Sequence, residues 1–315
     1  MAPTILVVGA TGNTGRSVVE TLPKLIKDSK TLSQHRILAL TRSKDSPTAQ
    51  KLAAIPNVEL AEQNWIEINA EWLREHEVQR VFIASHNEPT HFAEEGQFLN
   101  EALRAGVQYV VRISTTNANV VADFPAYYPR SHWAIEQMLE QPEYKAMQWT
   151  SLQPNVFFAF VLGQAAELIK QYRKTGKQGS LGLLLDADAP VGVIDAWDVG
   201  ILAAHLLARD DTSAYNGKRL VMNGPEDLSG RQIVEMVEKE IGVKVEDVKF
   251  RDVSFIHQWA DSLTKGSKNV IRSIEHAAVT GWEGKCSAST TSKEVLELCP
   301  PQGTAKKALA QMLGQ

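Results

Sequence analysis

Residues 4–17, TILVVGATGNTGRS, constrain the fold more than any other part of the chain. The apolar run Ile5, Leu6, Val7, Val8 suits a strand buried on both faces. Gly9, Gly12 and Gly15 follow at intervals of three, and from Ser17 the spacing of Val18, Val19 and Leu22 turns helical. A strand, a glycine turn and a helix in this order build a dinucleotide site, because the helix start offers unpaired N–H groups and a partial positive charge to a pyrophosphate. In this reading Gly9 makes the tight turn, Gly12 lets the backbone approach the phosphates, and Gly15 lets helix pack on strand. Thr11, Asn13 and Thr14 complete the phosphate loop. A glycine-rich turn alone would be a weak signal; the flanking strand and helix give it its meaning.

The same alternation continues. Further strands are expected at residues 36–41, 58–62, 79–85, 107–114 and 149–154, with helices at 16–27, 47–55, from Asn69, at 92–105 and through Glu140. Strands alternating with helices predict an α/β fold, a doubly wound parallel sheet covered on both faces. After Pro154 the pattern loosens. A helix at 164–174, short strands at 181–185 and 190–194, a helix from Asp195 to Ala208, a strand at 219–222 and a helix at 232–241 precede a strand-like stretch at 243–253 and a polar helical remainder. The expected division is a dinucleotide-binding domain at 1–154, with 190–222 returning to its sheet, and a smaller lobe made of 155–189 and 223–315.

Composition narrows the function classes. A net charge of −4 over 315 residues gives no general attraction to nucleic acid or to an anionic membrane. Cys286 and Cys299 are too few for a disulfide framework or a metal site, so no metal is expected. The N-terminus runs straight into the first strand, leaving no room for a signal or transit peptide, and no apolar run reaches membrane-spanning length. The expectation is a soluble, cytoplasmic protein.

The coenzyme is read from the tip of the second strand, where a doubly wound sheet meets the adenosine ribose. Here the tip is Thr41-Arg42-Ser43-Lys44. There is no carboxylate for a pair of ribose hydroxyls, whereas a guanidinium pairs bidentately with a 2′-phosphate. NADP(H) is therefore expected over NAD(H), with Arg42 as the selecting residue. Asn64, after the third strand, is placed to reach adenine or to serve as an ordinary turn residue. Ser85 and His86 end the fourth strand at the carboxyl edge, which makes His86 either a neighbour of the nicotinamide or a loop histidine with no duty.

With the glycine loop and Arg42, the segments Ala105-Gly106-Val107, Ile135-Glu136, Gln153-Pro154-Asn155, Val193-Ile194-Asp195 and Asp198-Val199-Gly200 resemble the NmrA-like family, an atypical branch of the short-chain dehydrogenases. The resemblance runs over residues 5–253. It implies a Rossmann domain with a smaller C-terminal lobe, NADP(H) across the sheet edge, and a substrate cleft between the lobes. Pro154, Asn155 and Phe157 would frame the nicotinamide and the substrate. Members of the family are NAD(P)H-dependent reductases or cofactor-binding sensors.

Typical short-chain dehydrogenases use a serine and a Tyr-x-x-x-Lys pair. The matching positions here read Thr115, Tyr128 and His132, with no lysine. Pro129 is expected to hold Tyr128 at the helix cap, off the face that carries His132. His132 is expected to line the cofactor site and bond the nicotinamide ribose, and to act as the cation should Tyr128 prove to be the acid. A site without a Tyr-Lys pair suits acceptors needing little acid from the protein: a quinone, an activated double bond or an iminium. Tyr127, Trp133, Phe157, Phe158 and Trp197 favour an apolar or aromatic substrate, although core packing explains part of that list equally well. The alternative is a non-catalytic NADP(H) sensor acting through a protein partner.

Overall fold

Alternation along the first strand decides the architecture. In the computed structural model, which describes residues 2–315, Ile5 and Val7 join one core while Leu6 and Val8 join another. A strand buried on both faces needs helices on both faces. The chain supplies β1 (Thr4–Val8), α1 (Gly15–Ile26), β2 (Arg36–Thr41), α2 (Pro47–Ala53), β3 (Val58–Glu62), α3 (Ala70–Glu75), β4 (Val78–Ile83), α4 (His91–Ala105), β5 (Tyr109–Ile113), α5 (Tyr127–Leu139) and β6 (Gln148–Pro154). It continues through α6 (Phe158–Thr175), β7 (Leu181–Leu183), α7 (Ala196–Leu207) and β8 (Lys218–Met222). Seven parallel strands form one sheet in the order β3-β2-β1-β4-β5-β6-β8. The order reverses direction at β1, which opens a crevice over the carboxyl ends of β1 and β4.

One face of the sheet is covered by residues of α1, α2 and α7, the other by residues of α3, α4 and α5. The first face depends on a close helix crossing. A Cβ on Gly200 of α7 would come within 1.9 Å of Ser17 Oγ and 2.2 Å of the Thr14 carbonyl, so only glycine fits. Ser17 Oγ uses that proximity to donate to the Trp197 carbonyl at 2.9 Å. Asp195 starts α7 by accepting the Trp197 N–H. Arg80 of β4 finishes it, donating to the Leu207 and Arg209 carbonyls at 2.6 Å each.

A second core lies under α6, α8 (Gly230–Ile241) and the two-stranded parallel pair of β7 with β9 (Val248–Phe250). Five short helices follow: α9 (Ser254–Ser262), α10 (Lys268–Arg272), α11 (Val279–Trp282), α12 (Lys293–Leu298) and α13 (Ala305–Met312). Val295 of α12 packs into the sheet-side core, and Ala305, Ala308 and Leu309 of α13 pack into the second core.

Three expectations are corrected. Residues 190–194 form no strand, only the isolated bridges Val191 to Leu228 and Ile194 to Phe157. Helix α6 starts at Phe158 rather than at 164, with Phe157 as its extended cap. Tyr128 is helical: Ala126 is the extended cap of α5, so Pro129 falls in the first turn, where a missing N–H costs no intrahelical bond. Tyr128 and His132 therefore do share a helix face, their rings 6.5 Å apart.

Candidate functional site

A cleft of about 1130 Å³ runs along the carboxyl edge of the sheet. Its first third is the glycine turn. Gly9 sits at φ +78°, a conformation L side chains rarely adopt, and its site backs onto the Ala84 carbonyl. A Cβ on Gly12 would meet only the Gly9 carbonyl, at 3.1 Å, so beyond it the backbone faces open cleft. Thr11, Asn13 and Thr14 also line the cleft, and Thr14 at the cap of α1 makes no side-chain capping bond. Gly15 does not line it. A Cβ there would fall 2.2 Å from the Gly9 carbonyl, so this glycine serves the packing of helix on turn.

Arg42, exposed at the end of β2, lines the cleft. Among the described residues its guanidinium has no hydrogen bond or ion pair. Lys44 does not join it: it lines a separate hollow with Arg36, Glu59 and Glu62, and its backbone N–H donates to Glu62 Oε2 at 2.9 Å. Asn64 lines the cleft and makes no capping bond to the turn Trp65–Glu67 that it precedes.

The middle of the cleft holds Ser85, His86, Thr115, Tyr128 and His132. Several of these are already engaged within the protein. Ser85 Oγ donates to Glu95 Oε2 at 2.6 Å. His86 Nε2 lies 2.5 Å from Glu94 Oε2, and its Nδ1 accepts the Glu88 N–H. His132 is 2% exposed. Its Nδ1 lies 2.9 Å from Arg112 and its Nε2 3.0 Å from Asn87 Oδ1. A guanidinium only donates, so Nδ1 accepts and Nε2 carries the proton. Burial, then the neighbouring Arg112 and His91, hold the His132 pKa well below the ordinary histidine value. His132 is thus a neutral imidazole with both nitrogens engaged, and the expected cation is absent.

Behind it lies a buried ionic cluster. Arg112 is fully buried on β5 and donates from Nε to Glu95 Oε1 at 2.6 Å and from its amine to Ser151 Oγ at 3.0 Å. Burial pushes the Glu95 carboxyl up, but Arg112 and His91 outweigh it and hold the group below the usual carboxylate range. Glu136 of α5 receives Ser151, Gln153 and Arg219. Nothing in the sequence reading singled out Arg112 or Glu95. The available signal was a lone arginine inside the apolar run VQYVVRIS and a glutamate, Glu95, among the buried positions of α4.

Ser114, Thr115 and Thr116 bring hydroxyls, and Tyr128 a phenol, to this part of the cleft. Tyr128 is half-buried; burial raises its pKa, and the Thr115 hydroxyl beside it opposes that rise. Ser114, at the end of β5, lines the cleft with its buried Oγ unpartnered.

The outer half of the cleft is apolar. Of Tyr127, Trp133, Phe157, Phe158 and Trp197, only Phe157 lines it. Trp197 instead lies under the Arg16 guanidinium, and Phe158 belongs to the second core. The other aromatics of this half are Phe160, Phe255, Trp259 and Trp282, with Phe160 and Phe255 edge to face at 5.4 Å. Pro154 and Asn155 form the floor, but the Asn155 amide donates to Asn223 Oδ1 and the Cys286 carbonyl, and its Oδ1 accepts the Val156 N–H. Asn155 therefore ties the end of β6 to the C-terminal lobe. From Pro154 onward the described lining contains no Asp, Glu, Lys, Arg or His.

No curated protein matches the sequence. Among solved structures, an NADPH-dependent quinone oxidoreductase from Escherichia coli complexed with NADPH superposes with a TM-score of 0.71 at 18% identity, covering 98% of this chain and 99% of that one. The Citrobacter sp. triphenylmethane reductase complexed with NADP(H) gives 0.68 at 18% identity, with coverage of 98% and 100%. NmrA, a negative transcriptional regulator, in complex with NADP gives 0.61 at 18% identity, with coverage of 99% and 91%. At these identities the likeness is one of fold, and it is the α/β Rossmann-like fold described above. Among the described residues no helix is long and apolar enough to cross a membrane. The profile of the NmrA-like family matches residues 1–284, and the chain belongs to that family.

Proposed function

We propose that the protein is an NADPH-dependent oxidoreductase that reduces a small, uncharged, apolar or aromatic acceptor. The observation that carries this reading is one cleft with two unlike ends: an unpartnered arginine beside a glycine turn, and a charge-free aromatic chamber. The residues present fit NADP(H). The open backbone at Gly12 and the start of α1 suit the pyrophosphate, and Arg42 suits the 2′-phosphate. Residues 1–154 with 190–222 would carry the coenzyme, and 155–189 with 223–315 would supply most of the substrate wall.

When bound, NADPH supplies the hydride. The chain's own part is to hold the acceptor flat between aromatic walls and to exclude water. Tyr128 and Thr115 are the hydroxyl donors nearest the reaction, but with no cation beside it the phenol is a weak acid. The favoured acceptors are therefore a quinone, an activated double bond or an iminium. The test follows NADPH absorbance against quinones, enones, imines and simple aldehydes, with NADH as control. Turnover with the first three classes and little with aldehydes is expected; NADH serving equally well would remove the coenzyme assignment.

The neutral, fully engaged His132 in the lysine position favours a second reading, a cofactor-binding sensor without turnover. Tight NADPH binding with no oxidation across the whole panel would select it.

A further inference from the structure

We propose that Asn87, rather than His132, meets the nicotinamide ribose, and that Glu95, Arg112 and His132 form a buried relay that fixes the Asn87 amide for this task. The inference rests on the NADP(H) reading above.

The relay follows from donor and acceptor chemistry. Glu95 anchors the Arg112 guanidinium at 2.6 Å. Arg112 has no acceptor to offer, so it makes His132 Nδ1 accept and leaves the proton on Nε2. That N–H needs an acceptor, which makes Oδ1 the Asn87 atom 3.0 Å away. The Asn87 Nδ2 group is then turned from His132, has no partner among the described residues, and belongs to an exposed side chain on the cleft wall. The backbone is held as well, since Tyr127 Oη donates to the Asn87 carbonyl. Two helices, α4 and α5, and one strand, β5, thus orient a single surface amide, more fixing than a loop asparagine needs for stability.

Its position suits the ribose. The sheet order runs β2, β1, β4, β5. Arg42 marks the 2′-phosphate end on β2, the glycine turn follows β1, and the far ribose falls over the ends of β4 and β5. Asn87 follows β4, and Ser114 follows β5 with a buried hydroxyl that nothing among the described residues satisfies. His132 is one layer deeper and has no hydrogen-bonding atom left for a ligand. It is a positioning residue.

The test compares two ligands by titration: NADPH, and adenosine 2′,5′-bisphosphate, which carries the adenosine and 2′-phosphate but no nicotinamide ribose. Asn87→Asp keeps an acceptor for His132, removes the donor to the cleft and adds a charge, so a purely structural role predicts no loss for NADPH beyond the repulsion that the anionic bisphosphate also registers. The proposal predicts roughly tenfold weaker NADPH for Asn87→Asp and for Asn87→Leu, the range of one lost hydrogen bond, with the bisphosphate unaffected by the uncharged variant. The double variant Asn87→Leu with His132→Leu should bind NADPH no more weakly than Asn87→Leu alone, because His132 acts through Asn87. Unchanged NADPH affinity in Asn87→Asp, or a loss no larger than the bisphosphate's, overturns the proposal while leaving the coenzyme reading intact. So does a further loss in the double variant with bisphosphate binding preserved. Wild-type protein that binds neither ligand removes both.

Discussion

Arg42 and Tyr128 show how far a single side chain can be read in advance. Arg42 is exposed at a strand tip with no partner among the described residues, so the role proposed for it rests on position. Arg42→Ala should weaken NADPH by about 1.5–3 kcal/mol, the range for a charged hydrogen bond, and leave NADH nearly unchanged. Isothermal titration of both coenzymes decides it, and equal losses would refute the role. Tyr128 shares a helix face with His132 after all, yet the imidazole there is neutral and turned to other partners. Tyr128→Phe should therefore cost far less in kcat than the ~10²–10⁴ expected for removing a general acid. A thousandfold loss with NADPH affinity intact would make the phenol the acid. His132 itself was visible in the sequence as a departure from the family pattern. Its state was not, because Arg112 and Asn87 come from other elements and only the folded sheet brings them to it.

Elements were legible where one periodicity ran unbroken. β1, β2, β4 and β5 are largely apolar runs between turn signals, and β1 to β6 each stand within a residue or two of their expected bounds. The start of α5 was not, because the steric bias a proline imposes on its predecessor gives way in a first turn, where helical geometry is already favoured and no N–H is lost. Residues 190–194 look like a strand because they are mostly apolar, but their backbone bonds go to single bridges and to the Cys286 carbonyl. The glycine turn is the element to which the proposed function assigns the pyrophosphate. Gly12→Val should abolish binding of both coenzymes while far-UV circular dichroism and thermal unfolding stay close to wild type, since the new side chain points into the cleft. Retained affinity in the folded variant would move the phosphate site elsewhere.

At the scale of the molecule, burial of ionisable groups sets the response to pH. Burial lowers the pKa of His132 most strongly and also lowers those of His35 and His205. The unfolded chain therefore binds more protons than the folded one below about pH 6.5, and stability falls as pH drops through that value. Full burial of His132 allows a slope of up to about 1.4 kcal/mol per pH unit from that group. Glu95, held below the carboxylate range, adds a second loss as pH falls below about 4.5. Urea midpoints between about pH 7.5 and 4 should decline in that order; a flat profile from 7.5 to 5 would mean that His132 is not kept neutral.

Val295 gives the first lobe a dependence on time. It is fully buried in the core that also holds Ile5, so segments far apart in the sequence complete one core. During synthesis the opening strand, glycine turn and first helices leave the ribosome long before their last packing partner exists. That face of the sheet must wait, partly uncovered, until the segment holding Val295 has been made, and a product stalled or cut before it would expose its apolar surface.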